Sequence, residues 1–281
     1  MAPTGSGYAD VNGVRFAYQI FGDLNSEKTP LLVLHGSYMS ADAMAPLIKP
    51  FAATRPVIAL DARGHGRTGD VAGPITYAQM ADDSARVLDA LEVRNADVLG
   101  YSMGAITALT MAVRHPDKTG KQIILSGTFR RDGWYPEVNE ALEHMTPEAF
   151  AGSPLETEFR RLSPTPDAFP VLVNKQRDLD VSGYDITKDA IREINGKTMI
   201  VVGDADAVQL EHAIELFKLR GGGDKKVVVQ GFMTEAPRAR LAILPGTSHT
   251  GILANAGLIA ALAVPFLDDV TPATPPGFFK E

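Results

Sequence analysis

The fold is decided by the stretch Val98-Leu99-Gly100-Tyr101-Ser102-Met103-Gly104-Ala105. An apolar run ends at Gly100 and an alanine-rich stretch follows over residues 105–113, so the pattern G-x-S-x-G joins a predicted strand to a predicted helix. Side chains at positions 100 and 104 would collide with that strand and helix. Ser102 is therefore expected to have a strained backbone conformation, with its hydroxyl above the positive end of the helix.

On both sides of this turn, continuous apolar runs alternate with stretches of helical spacing. Short apolar runs are typical of strands that are buried on both faces, and strands alternating with helices indicate a mostly parallel sheet. The sequence thus predicts an α/β fold, with a mostly parallel twisted sheet and helices on both of its faces. Residues 8–20 also predict a hairpin with Asn12-Gly13 at its turn. The predicted buried strands are 31–34, 55–60, 97–101, 122–125, 198–202 and 241–244, and the predicted helices are 41–51, 77–91, 103–114, 210–219 and 252–267.

The alternation stops between Thr128 and Lys197. That segment has no short apolar strand and is rich in Glu, Arg, Pro and scattered aromatic residues, so we expect a mostly helical insertion. The α/β core then comprises residues 1–127 and 198–270, and the proline-rich residues 271–281 are predicted to be a flexible tail. Residues 224–238 stay open at this point, with Lys226–Gln230 either a strand or an extended loop.

Composition excludes several classes of chemistry and partner. The 281 residues include no cysteine, which excludes disulfides, thiolate metal sites and cysteine nucleophiles. A net charge of −7 without a long basic run argues against nucleic acid or an anionic membrane as a partner. The N-terminus lacks the pattern of a signal peptide, and no apolar run reaches the roughly 18 residues that span a bilayer. The expected location is the cytoplasm.

Polar residues follow the ends of the predicted strands. His35, Ser37 and Asp61 follow the early strands, while Asp206 and His249 follow the last two. Because ligand sites of mostly parallel sheets lie at the carboxyl ends of the strands, these residues and Ser102 are expected to meet at one edge.

A serine hydroxyl is a weak nucleophile and needs a base, usually an imidazole held by a carboxylate. Of the six histidines, His249 is the preferred base, because its loop can reach back across the sheet. His35 heads a glycine turn and is better placed to build a backbone pocket.

Two acidic residues, Asp204 and Asp206, follow the penultimate predicted strand. Asp206 is preferred as the carboxylate because it has already left the strand. Asp204 is its nearest competitor, and Asp61 is expected to anchor its own loop instead. The remote alternatives are Asp61, Asp97 and Asp117.

The oxyanion that forms on an attacked carbonyl needs two hydrogen-bond donors. The backbone N–H of Met103 follows the serine and is one candidate donor. The backbone N–H of Ser37, in the turn after Gly36, is the second. The scattered His and carboxylate residues have no metal-ligand spacing, so neither a metal nor a cofactor is expected.

Over residues 8–268 the chain resembles the α/β-hydrolase fold superfamily, whose order of residues is Ser, then Asp, then His. The resemblance implies a Ser102–His249–Asp206 triad and a helical cap formed by residues 128–197. Serine in the turn argues against relatives that work through an aspartyl ester, such as haloalkane dehalogenases and epoxide hydrolases. The matching pieces are Leu34-His35-Gly36-Ser37, Leu60-Asp61-Ala62-Arg63-Gly64-His65-Gly66, Gly100-Tyr101-Ser102-Met103-Gly104, Gly203-Asp204-Ala205-Asp206 and Pro245-Gly246-Thr247-Ser248-His249.

The expected activity is hydrolysis of small to medium, largely apolar carboxylic esters through an acyl-enzyme intermediate. Tyr38, Tyr101 and Trp134 are the candidate substrate contacts. The aromatic residues of the insertion suggest an apolar pocket, although about half of them could form the core of the insertion instead. These residues are Trp134, Tyr135, Phe150, Phe159 and Phe169. The same triad serves lactonases, carbon–carbon bond hydrolases, acyltransferases and perhydrolases, and a hydrolase-fold receptor that binds a small ligand is the alternative from another class.

Overall fold

The computed structural model describes residues 1–274, so the part of the predicted tail after Thr274 lies outside the described residues. Eight strands lie in that range: β1 (Gly5–Val11), β2 (Val14–Phe21), β3 (Leu31–Leu34), β4 (Val57–Leu60), β5 (Ala96–Tyr101), β6 (Thr119–Leu125), β7 (Thr198–Ala205) and β8 (Ala239–Ser248). They form one sheet in the order β1-β2-β4-β3-β5-β6-β7-β8. The hairpin β1–β2 and the pair β2–β4 are antiparallel, and all other neighbours are parallel. The predicted mostly parallel sheet is confirmed.

The helices of the described chain are α1 (Ala45–Ala52), α2 (Tyr77–Ala90), α3 (Met103–Arg114), α4 (Pro136–Glu143), α5 (Pro154–Leu162), α6 (Phe169–Ser182), α7 (Lys188–Glu193), α8 (Leu210–Leu219), α9 (Lys225–Gln230) and α10 (Ala256–Leu267). None of the helices in residues 1–274 combines the length and the apolar character needed to span a bilayer.

Alternate residues of each central strand enter different cores. Leu32 and Leu34 belong to a hydrophobic cluster with α2, α3 and α8, whereas Leu31 and Val33 belong to a second cluster with α1 and α10. This follows from the period of two along a strand, and it explains why β3, β4 and β5 are buried at every position. A fully buried Val, Leu or Ile side chain contributes roughly 1.5–3 kcal/mol, so burial stabilises the strands that carry the site.

Residues 128–197, called the cap segment below, contain α4 to α7 and no strand. Their own small core consists of Phe150, Phe159, Phe169, Leu172 and Val173, together with Tyr38 and Ile75 from the rest of the chain. Ion pairs join the cap segment to the connections that follow β3 and β4. Arg161 contacts Asp42, and Lys175 contacts Asp70 at 2.6 Å.

The region left open by the sequence contains a helix. Residues 225–230 form α9, so the expectation of a strand or extended loop at Lys226–Gln230 is wrong. The side chain of Asp224 accepts the N–H of Lys226 at 2.8 Å and caps the helix, while Gly231 ends it in the left-handed conformation. Val228 and Val229 are 75% and 87% exposed, so this apolar run is not a buried strand.

Candidate active site

The turn between β5 and α3, residues 100–104, has the strained geometry predicted for it. Ser102 has φ 54° and ψ −116°, a conformation that costs on the order of 1–3 kcal/mol for a residue other than glycine. A Cβ added to Gly100 would lie 2.1 Å from the carbonyl oxygen of Gly104, and one added to Gly104 would lie 2.2 Å from that of Leu34. Both glycines are therefore required where strand, turn and helix approach each other.

A continuous hydrogen-bonded series joins Asp206, His249 and Ser102. Nδ1 of His249 lies 2.7 Å from Oδ1 of Asp206, and Nε2 of His249 lies 3.1 Å from Oγ of Ser102. These residues follow β7, β8 and β5 at the carboxyl edge of the sheet. In this geometry the carboxylate holds the imidazole with Nε2 directed at the hydroxyl, which is the arrangement that general-base activation of a serine requires.

The carboxylate of Asp206 is buried and receives three further hydrogen bonds. The donors are the N–H of Gly203 at 3.1 Å, the N–H of Val208 at 3.3 Å and the hydroxyl of Ser126. Burial by itself raises the pKa of Asp206. The hydrogen bond and charge of His249, together with the bonds from Ser126 and Gly203, outweigh burial and hold that pKa below its usual value. The group is thus an anion at neutral pH.

Ser126 is a functional residue that was not predicted from the sequence. It follows β6 directly and has φ 48°, so its position at the end of a buried strand was the available signal. Asp204, the competitor of Asp206, points elsewhere: it is exposed, and its Oδ1 accepts the N–H of Thr247 at 3.1 Å. Asp204 therefore holds the segment that precedes His249.

The two predicted oxyanion donors, the N–H groups of Ser37 and Met103, donate to no other group in residues 1–274. The turn that holds Ser37 is braced by His35, whose Nδ1–H donates to the carbonyl of Gly36 at 2.8 Å and whose Nε2 accepts the N–H of Ala62 at 3.0 Å. Burial lowers the pKa of His35, consistent with a neutral ring that both donates and accepts. A Cβ at Gly36 would lie 2.9 Å from the ring of Tyr101.

Asp61 anchors its own loop, as predicted from its place in the sequence. Its Oδ1 accepts the N–H of Ala41 at 2.6 Å and its Oδ2 accepts the N–H of Arg67 at 2.8 Å. Both oxygens are therefore engaged by backbone donors away from His249.

Two of the three candidate substrate contacts touch His249. Tyr101 is buried, its ring lies 5.3 Å from the imidazole, and its hydroxyl donates to the carbonyl of His249 at 3.1 Å. Trp134 meets the same ring edge-on at 5.5 Å, and its Nε1 donates to the hydroxyl of Tyr184 at 2.7 Å. Tyr38 follows Ser37, and its ring packs at a tilt against that of Phe150, with ring centroids 4.6 Å apart.

Most aromatic residues of the cap segment pack away from the histidine. Phe150, Phe159 and Phe169 contact one another in the core of the segment, and Tyr135 is 40% exposed. Of the five aromatic residues that suggested an apolar pocket, only Trp134 contacts His249. In the part of the chain that the structure describes, no group of three or more His, Asp or Glu side chains could hold a metal ion.

The sequence is similar to known hydrolases. Residues 31–262 match the model of a family described as the alpha/beta hydrolase family. A putative carbamate hydrolase RutD of Azorhizobium caulinodans is 33% identical over 135 residues, so the alignment spans 47% of this chain and about half of that protein, 51%. A pimeloyl-[acyl-carrier protein] methyl ester esterase of Neisseria meningitidis is 31% identical over 84% of this chain and 92% of its own.

Among solved structures, the enol-lactonase from Burkholderia xenovorans LB400 has a TM-score of 0.69 at 20% identity, with 93% of this chain and 99% of that chain covered. The carboxylesterase CesB from Bacillus subtilis has a TM-score of 0.67 at 17% identity, covering 94% and 91%. At these identities the likeness concerns the fold alone. The family match, which covers most of the chain, goes further: this protein belongs to the alpha/beta hydrolase family.

Proposed function

We propose that this protein is a serine hydrolase that cleaves carboxylic esters of small to medium size through an acyl-enzyme intermediate. The observation that carries the proposal is the series of hydrogen bonds from Asp206 through His249 to Ser102, with distances of 2.7 and 3.1 Å. A purely structural serine has no need of a strained backbone or of an imidazole held by a buried carboxylate. The resemblance to a methyl ester esterase over 84% of the chain favours esters among the acyl compounds that such a site attacks.

In the proposed reaction, Oγ of Ser102 attacks the acyl carbon while Nε2 of His249 takes its proton. The carbonyl oxygen becomes an oxyanion between the N–H groups of Met103 and Ser37, which are free to donate to it. His249 then returns the proton to the departing alkoxide, and the acyl group stays on Ser102. The anionic Asp206 stabilises the imidazolium that exists between these two transfers.

The second half of the reaction uses the same groups in reverse. A water molecule gives a proton to His249 and attacks the acyl carbon, and the second oxyanion forms between the same two N–H groups. Its collapse breaks the bond to Ser102, which recovers a proton from His249, and the carboxylic acid leaves. Every proton taken by the imidazole is returned, so the cycle needs no group beyond the five residues named here.

The test combines covalent labelling with turnover. A fluorophosphonate should add to Ser102, and mass spectrometry should locate the label on the peptide that contains this residue. The protein should hydrolyse p-nitrophenyl esters faster than lactones, carbamates or amides of similar size. Ser102→Ala should lose about 10⁴-fold or more of kcat. Ser182→Ala, an exposed serine of the cap segment, is the matched control. Labelling at another serine, or near-native turnover by Ser102→Ala, would disprove the proposal, and binding of an ester without its consumption would favour a receptor.

A further inference from the structure

Two buried polar atoms beside Ser37 have no hydrogen-bond partner among the described residues. They are the hydroxyl of Tyr38 and Oε1 of Gln176. Tyr38 is 8% exposed and Gln176 is completely buried. A buried polar atom without a partner costs free energy, and phenylalanine or methionine would occupy similar volumes without that cost. The two atoms therefore call for an explanation other than packing.

Both side chains are held firmly next to the proposed oxyanion donor. Gln176 belongs to α6, and its Nε2 donates to Oγ of Ser37 at 3.0 Å. Tyr38 is the next residue in the turn, with φ 64°, and its ring packs against Phe150. Ser37 is thus joined to Gln176 by a hydrogen bond from the cap segment and to Tyr38 by the chain itself, and each of these two neighbours keeps a free oxygen.

A carboxyl group lies on the same face of α6 as Gln176. Asp180 is one turn beyond Gln176 on the same face of α6, and it forms no hydrogen bond or ion pair with another residue in the range 1–274. Burial raises the pKa of Asp180 to about 7, against the opposing charge of Arg131. The charge of the carboxylate in turn adds to the effect of burial in raising the pKa of Tyr38.

We propose that Tyr38, Gln176 and Asp180 form a subsite that binds an uncharged hydrogen-bond donor of the substrate, a hydroxyl or amide N–H group, close to the scissile carbonyl. The inference rests on the proposed hydrolysis at Ser102. Its chemistry follows from the atoms that are free: an amide oxygen, a phenol oxygen and a carboxyl group supply mainly acceptors. The subsite adds a polar contact to the largely apolar substrate that the sequence predicts. Three of the aromatic residues behind that prediction pack in the core of the cap segment.

The experiment compares two matched pairs of esters. Ethyl 3-hydroxybutanoate against ethyl butanoate puts the donor on the acyl side, and 2-hydroxyethyl butanoate against propyl butanoate puts it on the alcohol side. In at least one pair, kcat/KM should favour the hydroxylated ester about tenfold or more, because the analogue leaves the buried acceptors unpaired. Gln176→Met and Tyr38→Phe should each bring that ratio towards one, whereas Asn174→Met, an exposed position of the same helix, should leave the ratio unchanged.

Binding measured by calorimetry on Ser102→Ala separates this inference from the proposed function. A tighter Kd for the hydroxylated ester of one pair, by about tenfold, supports the subsite even if the wild type hydrolyses neither ester, and that absence of turnover would overturn the proposed function instead. Ratios near one in both pairs, for turnover and for binding, would overturn the subsite. If Tyr38→Phe and Gln176→Met both keep the preference for the hydroxylated ester, the assignment of the subsite to these residues would be overturned. If one of the two variants does not fold, the other decides the assignment.

Discussion

Oδ1 of Asp206 lies 2.7 Å from Nδ1 of His249, whereas Asp204, two residues earlier, accepts the N–H of Thr247 and does not reach the imidazole. Asp206→Asn should therefore lose about 10⁴-fold of kcat, because the amide favours the wrong tautomer of the histidine and cannot stabilise its cation. Asp204→Asn keeps an acceptor for Thr247 and should lose less than about tenfold. Steady-state kinetics on one ester measures both. A larger loss from Asp204→Asn would reverse the assignment of the acid.

Ser126 should act on catalysis through Asp206. Removal of its hydroxyl takes away one donor that holds down the pKa of that carboxylate, so the pKa should rise in Ser126→Ala. We expect kcat to fall about tenfold with little change in KM, and the acid limb of the pH–rate profile to move to higher pH. Because φ is 48° at this position, Ser126→Gly is the control for backbone strain. Recovery of activity in the glycine variant would attribute the loss to strain and not to the hydroxyl.

The two glycines of the turn at Ser102 should be indispensable for folding. Gly104→Ala puts a methyl group 2.2 Å from the carbonyl oxygen of Leu34, so the unfolding free energy should fall by about 3 kcal/mol or more. Gly257→Ala is the contrast, because its added Cβ has no neighbour within 4 Å and the residue lies in α10. That variant should be more stable by roughly 0.5–1 kcal/mol. Urea unfolding compares the two, and equal midpoints would contradict the packing account.

His212 should make the protein less stable in mild acid. Its ring lies against Phe129 and its Nε2 accepts the N–H of that residue at 3.1 Å; burial, followed by the charge of Arg130, lowers its pKa to about 4. In the unfolded chain a histidine has a pKa of about 6.5, so between these values the unfolded state holds the extra proton. The contribution of His212 to the free energy of unfolding is therefore fully present above pH 6.5. It is lost as the pH falls towards 4, at up to about 1.4 kcal/mol per pH unit.

His212→Gln keeps an acceptor for Phe129 and does not titrate. The difference in unfolding free energy between this variant and the wild type should therefore change between pH 7.5 and 5 in favour of the variant at low pH. Urea titrations at several pH values measure it. Groups such as His35 and His65, whose pKa values are also lowered by burial, contribute to both proteins and cancel in the difference. A difference that is constant with pH would mean that His212 gains its proton within the folded state.

Much of this arrangement could be predicted because it depends on local pattern. Continuous apolar runs such as Leu31–Leu34 are typical of a strand that is covered on both faces, and the parallel order then brings the strand ends together. Ser102, Asp206 and His249 are recognisable because each directly follows such a strand. The choice between Asp204 and Asp206 followed from one further consideration, which residue had left the strand, and the contacts agree with it.

What could not be predicted depends on contacts between distant segments. Gln176 is a polar residue in the middle of α6, and nothing in its neighbourhood along the chain indicates that it reaches Ser37, 139 positions earlier. The run of valines in α9 has the composition of a strand, but the capping residue Asp224 and the absence of a partner strand decide for a helix. Phe150, Phe159 and Phe169 could belong to a pocket or to a core, and only their mutual packing distinguishes the two.

The glycines at 100 and 104 also bear on how this enzyme could be re-engineered. With backbone atoms about 2 Å from any added Cβ, those positions tolerate no variation, and a library that randomises them will consist mainly of unfolded proteins. The cap segment, by contrast, consists of short helices joined by loops and has a small core. Directed evolution towards new substrates should therefore keep residues 100–104 constant and place the randomised positions in residues 128–197.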